Sequence, residues 1–130
     1  MKKSVTLDTH TLIWSLFKPS FLGKEATRLI QTVDRVLVSS ISLAEIEIKA
    51  VAGKLTIPKI SQDLLSASRF ELVAFGATAA NQISRFSGLK GHDPFDRMLL
   101  AQASALDSYF ITSDSVLLNQ NLDFVLDAEA

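Results

Sequence analysis

The chain has 130 residues, 48% of them hydrophobic, and a formal net charge of −1. That length suits one domain, 1–130, able to bury roughly two-thirds of its unfolded surface, so folding needs neither a disulfide nor a structural metal. The absence of cysteine excludes thiol catalysis, Cys-ligated zinc and a disulfide framework, and the near-neutral charge excludes a polycationic nucleic-acid coat.

The predicted elements alternate between short apolar strands and helices. Ser4 to Leu7 reads as a strand ending at Asp8, and Thr9 to Phe17 as a helix stopped by Lys18-Pro19. Gly23 to Val33 carries Ala26, Leu29, Ile30 and Val33 at helical spacing, followed by a strand at Val36 to Val38. Ser42 to Ala52 is predicted helical, opened by a Ser42/Glu45 capping box and closed by Gly53. After an extended Ile57-Pro58 come a helix at Ile60 to Arg69, a strand at Leu72 to Phe75 and a helix at Thr78 to Phe86. Gly88 to Gly91 is a loop. Asp93-Pro94 then opens a helix to about Leu106, with Asp93 as N-cap and proline at the first position. Tyr109 to Thr112 is a strand, Ser115 to Leu118 a short helix and Phe124 to Leu126 a candidate fifth strand. The fold class is therefore an α/β sandwich around a mostly parallel sheet.

Charge is unevenly spread. Arg97 is the last basic residue, and Asp107, Asp114, Asp123, Asp127 and Glu129 follow it. From Asp123 onward these acids read as a solvated tail. The N-terminal apolar run breaks at Asp8 and His10, too early for a signal-peptide core or a membrane span, so a cytoplasmic protein is expected.

Four acids sit where such a fold binds ligands, outside the carboxyl ends of the strands. Asp8 ends the first strand and Asp114 follows the fourth. Glu45 and Asp96 fall in the first turns of the helices after the second strand and before the fourth. Clustered carboxylates repel, a divalent cation relieves the conflict, and all-oxygen ligation selects Mg2+ or Mn2+. Such a centre suits hydrolysis of a phosphodiester. Each acid also has a structural reading. Glu45 closes a capping box, Asp96 favours the helix dipole, and Asp93 and Asp114 cap helices. Asp8 is the hardest to explain without a site. Lys49, one turn after Glu45, and Arg97, beside Asp96, are candidates to neutralise an acid or hold a phosphate oxygen. His10 is expected on a helix surface, and Trp14 in a core or interface.

Four segments resemble PIN-domain toxins of the VapC type. They are Leu7-Asp8-Thr9-His10-Thr11-Leu12-Ile13-Trp14, Ser40 to Lys49 with Gly53-Lys54-Leu55, His92-Asp93-Pro94-Phe95-Asp96-Arg97 continuing to Ala103, and Ile111-Thr112-Ser113-Asp114. They stand in the family's order and spacing and span nearly the whole chain. The resemblance implies a parallel sheet of four or five strands flanked by helices. It implies an Mg2+- or Mn2+-dependent endoribonuclease, the toxin of a type II toxin–antitoxin pair. Asp8, Glu45, Asp96 and Asp114 match the family's acidic quartet, and Thr112 and Ser113 fall where it often places a hydroxyl near the metal. A homodimer and a small antitoxin partner are likewise implied. One departure stands out: a histidine is expected two or three residues before the first Asp of the Asp-Pro-Phe-Asp-Arg motif, and here His92 immediately precedes it. Two other readings remain: a catalytically idle PIN-type module that binds RNA or an antitoxin, and a phosphotransfer domain with Asp8 as phosphoacceptor.

Overall fold

The computed structural model describes residues 1–130. Five parallel strands form one sheet in the order β3-β2-β1-β4-β5. They are β1 (Ser4–Leu7), β2 (Arg35–Ser39), β3 (Phe70–Val73), β4 (Tyr109–Thr112) and β5 (Val125–Asp127). The helices are α1 (Thr9–Phe17), α2 (Lys24–Thr32), α3 (Ser40–Val51), α4 (Gln62–Ala67), α5 (Ala77–Gln82), α6 (Pro94–Ala105) and α7 (Ser115–Leu118). From the centre at β1 the chain builds outward through β2 and β3, then returns to lay β4 and β5 on the other side. The crevice where the order reverses lies between the carboxyl ends of β1 and β4.

Side chains alternate between the two faces of the sheet, as the strand period requires. Val5, Leu7, Val36, Val38 and Ile111 join one core cluster with Leu12 and Ile13 of α1, Ala26 and Leu29 of α2 and Leu65 of α4. Phe110 points the other way, into a second cluster with Leu99, Leu100 and Ala103 of α6 and Leu117 of α7. Phe110 is fully buried, which is worth about 2–3 kcal/mol relative to leaving it in water. Helices thus cover both faces, as an all-parallel sheet demands.

Several boundaries differ from the sequence expectation. Helix α3 begins at Ser40, because Ser39 at the end of β2 caps it by accepting from Ile41 N at 3.0 Å. The expected Ser42/Glu45 capping box does not form. Ser42 lies inside the first turn, and Glu45 is in the second turn, one turn beyond its expected place. Helix α4 starts late, at Gln62, with Ser61 as its cap. Arg69 turns the chain with φ 61°, so β3 begins at Phe70 instead of Leu72. A turn made by a left-handed arginine carries no glycine to announce it. The helix expected at Thr78 to Phe86 ends at Gln82 and continues as 3-10 turns from Ile83 to Leu89, broken at Phe86. Those turns take up part of the expected Gly88 to Gly91 loop.

The acidic C-terminal segment is not a free solvated tail. β5 pairs with β4, Ala128 is fully buried, and Ala128 N donates to Thr112 O at 2.9 Å. Ala130 O then accepts from Glu25 N and Ala26 N, at 3.0 and 3.2 Å, over the start of α2. Gly23 permits this approach, since a Cβ there would lie 1.9 Å from Ala130 O. No helix is long and apolar enough to cross a membrane.

Candidate active site

Parallel pairing of β1 with β4 puts Leu7 beside Ile111, and the ladder continues as Asp8 N donates to Ile111 O at 3.1 Å. Asp8 and Asp114 therefore emerge side by side at the crevice. β1 also pairs with β2, so α3, which follows β2, brings Glu45 to the same rim. Asp96 arrives in the first turn of α6, which packs against α3. The result is a cleft of about 380 Å3 lined by ten residues, none of them hydrophobic.

Helix capping holds three of its acids in place. Asp8 Oδ1 accepts from Thr11 N at 2.7 Å, Asp93 Oδ1 from Phe95 N at 2.8 Å, and Asp114 Oδ1 from Leu117 N at 3.0 Å. Each cap occupies one carboxylate oxygen and aims the acid at a helix N-terminus, where the positive end of the dipole favours negative charge. Asp8 Oδ2 accepts from Thr112 Oγ1 at 2.6 Å, and the same hydroxyl accepts from Asp114 N at 3.0 Å. Thr112 therefore ties the two strand-end acids together from beneath the cleft. Glu45, only 4% exposed, accepts from Thr9 Oγ1 at 2.6 Å and from Lys49 Nζ at 2.5 Å. Ser42 Oγ lies 3.1 Å from the Thr9 hydroxyl.

Burial and crowding dominate the electrostatics. Burial pushes the Asp8 carboxyl above the usual range, against the opposing pull of hydrogen bonds from Thr112 and Thr11. Asp96 is pushed up to about 7, first by burial and then by Asp8, Asp93, Asp114 and Glu45 around it. Lys49 is raised by its hydrogen bond to Glu45. A site that raises Asp8 and Asp96 while offering one lysine is short of positive charge, and a divalent cation is the chemically fitting complement.

The sequence profile of the PIN domain family matches residues 5–120, most of the chain. The chain belongs to the PIN domain family. Among solved structures, the PIN fold here is similar to VapBC2 from Rickettsia felis bound to a promoter DNA fragment, with a TM-score of 0.66 and 18% identity over 97% of this chain and 98% of that one. It is also similar to DNA-bound VapBC from Salmonella typhimurium, with a TM-score of 0.63 and 24% identity over 97% and 98% of the two chains. A third is VapBC-5 from Mycobacterium tuberculosis, with a TM-score of 0.58 and 19% identity over 99% and 100%. At these identities the likeness concerns the fold. No curated protein matches the chain.

The cleft of this PIN domain gathers Asp8, Glu45, Asp96 and Asp114, together with Asp93, Ser113 and Lys49. Thr112 lies beneath it, fully buried. Arg97 is not among the lining residues and makes no ion pair within 4 Å, and its buried Nε has no partner. Its expected neutralisation of Asp96 therefore does not occur. The Lys49–Glu45 pair is not an exposed helix-surface pair, since Glu45 is buried. Two contributors went unassigned in the sequence. Thr9 orients Glu45, and its only sequence signal is its position next to Asp8. His92 Nε2 lies 3.2 Å from Asp96 Oδ2 and 3.4 Å from Asp114 Oδ2. Its signal was four-residue spacing to Asp96, interrupted by a proline that obscures the helical register. His10 is exposed and stacks on Trp14 at 6.2 Å, at the cleft's edge.

Proposed function

We propose that this PIN domain is a metal-dependent endoribonuclease, the toxin of a type II toxin–antitoxin pair. The observation that carries the reading is the convergence of four carboxylates, from four separate chain segments, on one polar cleft at the β1/β4 crevice. Asp8, Asp96 and Asp114, with Glu45, would hold Mg2+ or Mn2+. The bound ion supplies positive charge for phosphate oxygens and acidity for an attacking water.

The chain's own groups prepare that centre. Thr112 and the α1 N-terminus orient Asp8. Thr9 and Lys49 hold the two oxygens of Glu45. The Lys49 ammonium, with a side chain 36% exposed, is placed to meet a phosphate oxygen at the cleft edge. Ser113 lines the cleft beside Asp114. Arg97 enters a phosphate contact only if its side chain turns toward the cleft. An open acidic cleft suits single-stranded or loop RNA, whose backbone can splay to bring one phosphate into the cleft, whereas the deep, narrow major groove of an A-form duplex is closed to side chains.

The similarity to VapBC complexes supports a small cognate antitoxin as partner; a tail that covers the acidic groove and a homodimeric toxin are what the family resemblance implies. The phosphotransfer alternative fits the geometry poorly. No lysine follows Lys90 to assist a phosphoryl group, and Asp8 is 4% exposed, which leaves little room for an in-line attack from its carboxylate.

The test is to sequence RNA 5′ ends after brief induction, comparing the wild type with Asp96→Asn and with co-expressed antitoxin. New ends confined to the wild type without antitoxin support the reading. Ends that persist in Asp96→Asn, or cleavage by purified protein in EDTA, would refute it.

A further inference from the structure

Beyond the four carboxylates, the cleft holds an imidazole. Gly91 turns the chain with φ 88°, His92 N donates to Leu89 O at 2.9 Å, and the ring folds back over the first turn of α6. His92 Nε2 comes to rest between two carboxylate oxygens from different elements, Asp96 Oδ2 at 3.2 Å and Asp114 Oδ2 at 3.4 Å. One ligand atom from each of His92, Asp96 and Asp114 lies within 4.8 Å of the other two.

A single Nε2–H points well at one oxygen, not at two in different directions. A lone pair on Nε2 and two carboxylate oxygens all facing a shared cation have no such conflict. Adjacent ligands of an octahedral ion with bonds near 2.1 Å stand about 3 Å apart, close to the two His92–carboxylate separations of 3.2 and 3.4 Å. Imidazole ligation also shifts preference toward first-row transition ions, because Mg2+ favours oxygen and holds its water tightly.

We propose that His92 is a nitrogen ligand of the ion held by Asp96 and Asp114, and that it makes this centre prefer a transition ion such as Mn2+ over Mg2+. The inference rests on the metal-dependent reading above and goes further in naming the ligand and the preference. His10, the only other histidine, stacks on Trp14 and serves as the control.

The test uses the full chain and Mn2+ alone, with no RNA. Mn2+ binding is followed by electron paramagnetic resonance, Mg2+ by competition, and directly bound nitrogen by pulsed measurement of its hyperfine coupling. The wild type and His10→Gln should show imidazole nitrogen coupling, and His92→Gln should lose it. His92→Gln should weaken Mn2+ binding about tenfold and Mg2+ binding by less than about threefold. Circular dichroism establishes that the variant is folded, and the wild-type coupling stands without any variant. If Mn2+ binds and Asp96→Asn removes it, yet no His92-dependent coupling appears, the inference is overturned and the metal-dependent reading survives. If no Asp96-dependent binding occurs at all, both fall.

Discussion

Asp8 and Glu45 form the inner half of the cleft, each 4% exposed, and every oxygen of both accepts a hydrogen bond from Thr11, Thr112, Thr9 or Lys49. Asp96 and Asp114 form the outer half, with side chains 19% and 29% exposed. Outside the Asp114 cap, their only close polar partner is His92. The inner half is a finished hydrogen-bond network that positions charge before any ligand arrives. The outer half is partly buried, crowded with like charge and short of donors; burial first, and then the surrounding carboxylates, raise Asp96 to about 7. Preorganised acids beside unsatisfied ones make a centre that is rigid on one side and responsive on the other.

The largest effect is on chemistry and falls on both halves alike, while stability tells them apart. Asp8→Asn and Asp96→Asn should each lower RNA cleavage by roughly 10²–10³-fold, measured on a labelled oligonucleotide with Mn2+. The metal-free melting temperature of Asp8→Asn should hold or rise, because the substitution removes a buried carboxylate whose ionisation is disfavoured. A large drop in stability would contradict the view that Asp8 is retained for function.

Thr112→Val tests the inner network. It keeps the shape but leaves Asp8 Oδ2 and Asp114 N without their shared hydroxyl, so denaturant unfolding should show a loss of about 1–3 kcal/mol. Ser113→Ala, at the partly open floor, should change stability by less than about 0.5 kcal/mol.

The outer half should reveal itself in pH dependence. With the Asp96 carboxyl raised from 3.8 to about 7, the folded state binds more protons than the unfolded state between those values. Metal-free stability should therefore fall as pH rises through that window, by up to about 1.4 kcal/mol per unit. The strain is absent below about pH 4 and fully present above about pH 7. Saturating Mn2+ should flatten the slope, and Asp96→Asn should reduce it. A slope of opposite sign in chemical denaturation across this range would break the comparison.

A modest effect belongs to Asp93, whose carboxylate caps α6 at the border of the two halves. Asp93→Ala should cost about 1 kcal/mol, read from the shift in unfolding midpoint.

Local chemistry made much of this protein legible in its sequence. Alternating apolar runs and helical spacing fixed the α/β class, Asp93-Pro94 marked the start of α6, and Asp8 at a strand end pointed to a rim. Those features depend on neighbours a few residues away, so one chain segment suffices to read them. What tertiary structure decided was how acids far apart in the chain share a cleft, because only parallel pairing of β1 with both β2 and β4 brings their ends together. It moved the cap of α3 from Ser42 to Ser39, freeing Glu45 for Thr9 and Lys49. It docked the acidic C-terminus against Gly23, and it kept Arg97 out of the cleft while turning His92 in. Those outcomes rest on packing and long-range hydrogen bonds, such as Thr112 to Asp8, 104 residues apart, which leave no local pattern.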